Sequence, residues 1–194
     1  EPTALQLTAT HQDVACFGGN TGRVFTNLQG GVTPYTYAWN TSPAQTGATA
    51  NNVPAGTYTV IARDNNNCTV AKTITVAQPS TLNFNETQQN LSCNGSNDGA
   101  ISVNITGGTG NYRYQWNQGT GTTQLSNLAA STYRLTVTDT VSGCAAVKIF
   151  YLSQPDPLQT LATITDATCH NGNNGSIVLT PFGGTVPYQY AWSN

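Results

Sequence analysis

Three stretches decide the fold: GGVTPYTYAWN at 30–40, GGTGNYRYQWN at 107–117 and GGTVPYQYAWS at 183–193. Each joins a double glycine to aromatic residues at every second position, the period of a β-strand with one buried face. Their tryptophans, Trp39, Trp116 and Trp192, are 77 and 76 residues apart. Further out, Cys16, Cys93 and Cys169 keep the same 77- and 76-residue spacing, each followed six positions later by a glycine (Gly22, Gly99, Gly175). Cys68 and Cys144 are 76 apart, and Gln-Pro recurs at 78–79 and 154–155. Such fixed-period self-similarity marks a repeat architecture. The copies run 1–79, 80–155 and 156–194. The third stops directly after its aromatic strand and has no second cysteine, so the chain reads as a window on a longer tandem array.

Within a copy the signals are short strands broken by Gly, Pro and Asn turns. Leu5 and Leu7 open a first strand, matched by Leu82 and Phe84. Val24, Thr26 and Leu28 share a face of the second, as do Ile101, Val103 and Ile105, then Ile177 and Leu179. Tyr58, Val60 and Ala62 mark a later strand, matched by Tyr133, Leu135 and Val137, and Ile74 and Val76 a last one. No stretch keeps a period of 3.6, so no helix of consequence is expected. The expected fold is all-β: one small immunoglobulin-like sandwich per repeat of about 76 residues. Six or seven strands fit, because residues 40–52 and 117–127 carry weak patterns. Alternate residues of the aromatic strand (Thr36 and Ala38, Arg113 and Gln115, Gln189 and Ala191) read as its solvent face. That turns Tyr37, Trp39, Tyr114, Trp116 and Trp192 inward, where Tyr58 and Tyr133 join them as aromatic core. The other reading of such a strand is a platform for stacking sugar rings.

Composition removes several classes of function. Only 7% of the 194 residues are charged, where about 25% is usual; Thr (32), Asn (21) and Gly (19) fill the gap. A hydrophobic share of 38% still supports a core rather than a disordered tail. The net charge of −2 leaves no basic footprint for nucleic acid. No apolar run nears the ~18 residues of a membrane span. No signal peptide is visible, so any such signal was removed or lies outside this stretch.

The cysteines are expected to pair inside each copy, Cys16 with Cys68 and Cys93 with Cys144, at separations of 52 and 51 residues. Cys169 would find its partner beyond residue 194. Such bonds imply an oxidising, extracellular setting, and buried free thiols are the alternative. Each would close a loop that stabilises its repeat by about 4 kcal/mol. Under tension, residues 17–67 would be bypassed, leaving an extension of roughly 80–90 Å per repeat.

Other candidate chemistry is thin. Asp64 and Asp139, with Asp98 or the Asn-rich turns, lack the spacing of a calcium loop, and turn formation accounts for them. Lys72 and Lys148 each follow a second cysteine by four residues. An isopeptide bond would need a recurring buried acid, so they read as edge-strand lysines that oppose aggregation. His11 and His170 have no counterparts in the other copies, and no acid pair recurs, so no catalytic site and no metal or other cofactor is expected. Asn40, Asn85 and Asn104 head chance sequons.

The order Cys-x5-Gly, GG-T-x-x-Y-x-Y-x-W, AGTYxVxxxD (55–64), Cys and Gln-Pro resembles the SprB-type repeat of very large surface proteins in gliding and related Bacteroidota. It departs at Ser131, which replaces the glycine found at Gly56, and in FGGNTG after Cys16. The resemblance implies an extracellular stalk or adhesin at the bacterial cell surface, exported by type IX secretion and in some cases driven along the cell. Asp139-Thr140-Val141 is similar to the O-glycosylation motif of these bacteria, which makes Thr140 a candidate glycan site. The expected partners are other repeats of the same chain, surface polysaccharide or neighbouring copies. Three roles stay open: a disulfide-locked stalk, a multivalent glycan- or surface-binding module, and a laterally assembling filament subunit.

Overall fold

The structure, a computed structural model, describes residues 2–193. All regular structure among them is β-strand. The first copy carries β1 (Gln6–Gln12), β2 (Gly22–Gln29), β3 (Thr36–Trp39), β4 (Thr49–Val53), β5 (Gly56–Arg63) and β6 (Thr69–Val76). The second carries β7 (Ser80–Gln89), β8 (Gly99–Gly108), β9 (Tyr112–Trp116), β10 (Gly119–Thr120), β11 (Gln124–Leu128), β12 (Ser131–Asp139) and β13 (Ala145–Leu152). The third carries β14 (Gln159–Thr165) and β15 (Ser176–Phe182).

In the first copy two antiparallel sheets, β1-β2-β4 and β3-β5-β6, form a sandwich. Val24, Ala50 and Val53 from one sheet meet Trp39, Tyr58, Val60 and Val76 from the other in a single core. The period-two pattern puts these residues inside, and the opposite face of β5 and β6 carries threonines. There Thr57 pairs with Thr75 and Thr59 with Thr73 through their hydroxyls, at 3.3 and 3.0 Å. The strand order and the burial are those of a small immunoglobulin-like sandwich. So is a tyrosine corner: the Tyr58 hydroxyl donates back to the Pro54 carbonyl at 2.7 Å, and Tyr133 to Ala129 at 2.9 Å. The second copy repeats the order as β11-β8-β7 and β10-β9-β12-β13.

The weak stretches hold β4 in one copy and β10 with much of β11 in the other, giving six strands and seven. Their alternation fails for a local reason. Asn52 and Asn127 sit at φ 53° and 55°, and the register slips beside each, so one extra residue interrupts the pleat. The double glycine is also structural. A Cβ on Gly30, Gly107 or Gly183, all at positive φ, would strike the carbonyl of Ala4, Thr81 or Pro157 on the incoming chain.

Two compact units emerge. One joins Glu1–Asn83 with Ile105–Arg113 and Val137–Ala146. The other joins Phe84–Asn104 and Tyr114–Thr136 with Val147–Asn194. The first therefore takes in all of copy one and one end of copy two. In the second, Trp116 packs against Phe150 with ring centroids 5.6 Å apart.

The third copy departs from the expected core. β14 and β15 pair in the register of β1 and β2, Gln159 opposite Phe182 as Gln6 is opposite Gln29. No residues in this sequence correspond to β5 and β6, which cover the aromatic strand in the other copies. Trp192 is consequently 55% exposed and Ile177 51%, not buried.

Candidate functional site

The distinctive chemistry lies at the two ends of the sandwich. At one end, Asp64 is buried and organises the turn that carries Cys68. One carboxylate oxygen accepts from the Val32 N–H at 3.0 Å, the other from Asn66 and Cys68 at 2.9 and 2.8 Å. Asp139 is built alike: Thr109 donates from its N–H at 2.6 Å and its hydroxyl at 2.7 Å, and Val141 and Ser142 donate from their backbones. Burial pushes the Asp64 carboxyl up, but the N–H bonds from Val32, Cys68 and Asn66 outweigh it and the pKa falls below its ordinary value. For Asp139 the Thr109 hydroxyl and N–H dominate and hold the carboxyl well below the usual range. A carboxylate ringed by N–H and O–H donors is arranged as a turn clamp, not as a cation ligand. Among the described residues no three His, Cys, Asp or Glu side chains cluster closely enough to hold a metal ion.

At the other end lie the loops of the first cysteines. In each, the N–H before the cysteine donates to a side-chain oxygen six residues on: Ala15 to Thr21, Ser92 to Asp98, Thr168 to Asn174. The cysteine carbonyl accepts from the residue three further along: Gly19, Ser96 or Gly172. The glutamine of Gln-Pro fastens the loop, since Gln78 accepts from the Gly18 N–H at 2.8 Å and Gln154 from Gly95 at 2.9 Å. Ser92 and Ser96 hold the Asp98 pKa down to about 2.

The two ends explain a correction. Cys16 is not bonded to Cys68, nor Cys93 to Cys144; Cys16 is bonded to Cys144, across 128 residues, with Cα atoms 5.7 Å apart. Cys68, Cys93 and Cys169 are free and exposed. The Val14 N–H donates to Ala77, which puts the Cys16 loop at the far end of β6, whereas Cys68 immediately precedes that strand. Eight extended residues span about 26 Å, several times the reach of a disulfide. β13 separates Cys93 from Cys144 in the same way: Leu91 donates to Ser153 at its end, and Cys144 precedes its start. The Cys16–Cys144 bond thus ties one copy to the next.

Trp39, Trp116, Tyr58 and Tyr133 are buried, and Tyr37 and Tyr114 half-buried. The indole N–H of Trp39 donates to the Gly47 carbonyl at 2.8 Å and that of Trp116 to Thr122 at 2.9 Å. An open cleft of about 550 Å³ in the third copy is lined by Leu158, Pro187, Tyr188, Tyr190 and Trp192. Its counterparts Tyr37 and Trp39 pack against the core of the first copy, so the cleft is the uncovered inside of a sandwich. Thr140 is exposed, beside the occupied Asp139 carboxylate. Lys148 pairs with Glu86 at 2.5 Å, joining the outer strands β13 and β7. His11 lies 3.3 Å from Asp13, and His170 is exposed beside Cys169. The structure also adds an unexpected stripe: Val147, Ile149 and Tyr151 are exposed on β13, where β6 presents Ala71, Thr73 and Thr75.

The SprB repeat family matches this chain at residues 8–44, 85–121 and 161–194, together more than half of its length. No curated protein matches. Among solved structures, murine CEACAM1b is similar at 12% identity over 70% of this chain and 93% of that one, with a TM-score of 0.30. So loose a superposition carries no argument.

Proposed function

The chain belongs to the SprB repeat family, repeats of cell-surface adhesin proteins, and from that premise we propose that it is a load-bearing stalk section of an extracellular bacterial adhesin. The observation that carries this reading is the Cys16–Cys144 bond, which joins successive repeats and places residues 17–143 inside a covalent loop. A bond between neighbouring repeats stabilises any module, and it also resists extension across the joint, which is what a stalk under load needs. The bond also favours an oxidising, extracellular location. Gliding and type IX export extend the same reading to the parent protein.

The test is saturable binding of the oxidised 194-residue chain to a glycan array, beside force spectroscopy with and without reductant. A stalk section gives no saturable binding and a short, reductant-sensitive extension. Saturable glycan binding would replace the stalk with the multivalent binding module.

The apolar stripe Val147, Ile149 and Tyr151 on an outer strand favours one second reading, side-by-side association of arrays. Self-association in analytical ultracentrifugation that Tyr151→Ser abolishes would support it.

A further inference from the structure

We propose that Cys68, Cys93 and Cys169 are open halves of the clamp that Cys16 and Cys144 complete, so that first and second cysteines pair from each repeat to the next along the whole array. Cys93 would bond the second cysteine of the third repeat, and Cys68 the first cysteine of the repeat before the first. Cys169 would bond the second cysteine of the fourth. The partner in each case is a further copy of this repeat.

Three observations support the assignment. The free first cysteines sit in loops built like that of Cys16. Ser96 and Gly172 donate to the carbonyls of Cys93 and Cys169 as Gly19 does to Cys16, and Gln154 holds Gly95 as Gln78 holds Gly18. The free second cysteine, Cys68, ends a turn built like that of Cys144. Asp64 donates its N–H to the Cys68 carbonyl at 3.0 Å, as Asp139 does to Cys144 at 2.8 Å. Third, the next joint is already seated. The Cys144 sulfur lies 3.2 Å from the Ala15 carbonyl in the bonded joint. The equivalent Ser92 carbonyl, beside free Cys93, accepts from the Thr185 hydroxyl of the third copy at 2.9 Å. Thr185 belongs to the double-glycine turn, whose counterpart Thr109 binds Asp139 at the head of the Cys144 turn. The end of the third repeat that would carry a second cysteine is therefore at the Cys93 loop.

Each bond forms when two thiols lose two protons and two electrons to an oxidised dithiol, whose own disulfide opens to two thiols. Glutathione disulfide does this in vitro and leaves as two glutathione molecules. The loops then overlap, because Cys93 lies within the Cys16–Cys144 loop and Cys144 within the one that Cys93 closes. Every interior residue of the array falls inside a covalent loop. The shortest covalent path runs from Cys144 to Cys169, 25 residues, so a fully unfolded array gains at most roughly 80–90 Å for every two repeats.

The deciding experiment is disulfide mapping of the full parent protein, isolated without reductant, alkylated and digested. The expected result is a Cys93 peptide linked to the second-cysteine peptide of the following repeat. Cys93 linked to Cys144, or alkylated, overturns the proposal. A second measurement extends the 194-residue chain with a copy of its residues 119–155 and refolds it with glutathione disulfide. Alkylatable thiols should fall from three to two, Cys68 and Cys169, with Cys16–Cys144 kept. A bond between Cys169 and the appended cysteine overturns the proposal. Mapping the parent protein decides the matter even if the extended chain fails to fold.

Discussion

The Cys16 and Cys93 loops are built alike, yet one cysteine is bonded and the other is free. Each loop has its cysteine carbonyl capped three residues on, its preceding N–H bound by a side-chain oxygen, and a glutamine holding the next turn. What differs is supplied from outside the loop: Cys144 faces Cys16, and no second cysteine of a third copy exists here to face Cys93. Trp39 and Trp192 repeat the contrast. The same aromatic strand is buried where β5 covers it and 55% exposed where nothing does. Local sequence builds the half-site, and the neighbouring element decides whether it is used.

The largest effect that could break this comparison is mechanical. Pulling the oxidised chain and then adding reductant should release the 128-residue loop in a single step of about 420–460 Å. Two steps of about 170–190 Å would restore pairing inside each copy. Next in size, Cys144→Ser should destabilise the first unit by about 4–5 kcal/mol, while Cys93→Ser should leave denaturant midpoints unchanged. The tryptophans follow: Trp116→Ala should cost about 3–5 kcal/mol in denaturant unfolding, and Trp192→Ala no more than about 0.5 kcal/mol.

The acid response comes next. The Asp64 and Asp139 carboxyls titrate lower in the folded chain than the roughly 3.9 of an unfolded aspartate. Their stabilisation is therefore complete above about pH 4 and drains as pH falls through the folded values. Denaturant midpoints measured from pH 6 to pH 2 should drop on the acid side, and Asp139→Asn should flatten that drop while lowering the plateau. Losing a single loop anchor should cost less than losing a buried tryptophan: Gln154→Ala is expected to cost about 1 kcal/mol, with faster alkylation of Cys93 as the Gly95 anchor is lost.

Much of the fold was legible beforehand. Period-two alternation located the strands around Val24, Trp39, Tyr58 and Val76, since burial of one face is written directly into residue choice. β4 and β11 were faint because Asn52 and Asn127 bulge and break the alternation. The cysteine loops were visible only as Cys-x5-Gly, because the oxygen acceptor inside them changes from Thr21 to Asp98 to Asn174 while its job stays the same. Gln-Pro was legible as a period but not as a loop anchor. The cystine was misread, although one signal bore on it. A loop between the first two strands and a turn between the last two fall at opposite ends of an immunoglobulin-like sandwich.

Sequence alone determined the repeat, the all-β class, the inward aromatic residues of the two full copies and the equivalence of the cysteines. Each of these depends on residues near one another along the chain or on spacing between copies. Only the tertiary structure decided which cysteines meet. Strand direction carries Cys16 and Cys68 to opposite ends of one sandwich, and a disulfide reaches only a few ångströms. The bond therefore goes to Cys144 in the next copy, 128 residues away along the chain and adjacent in space.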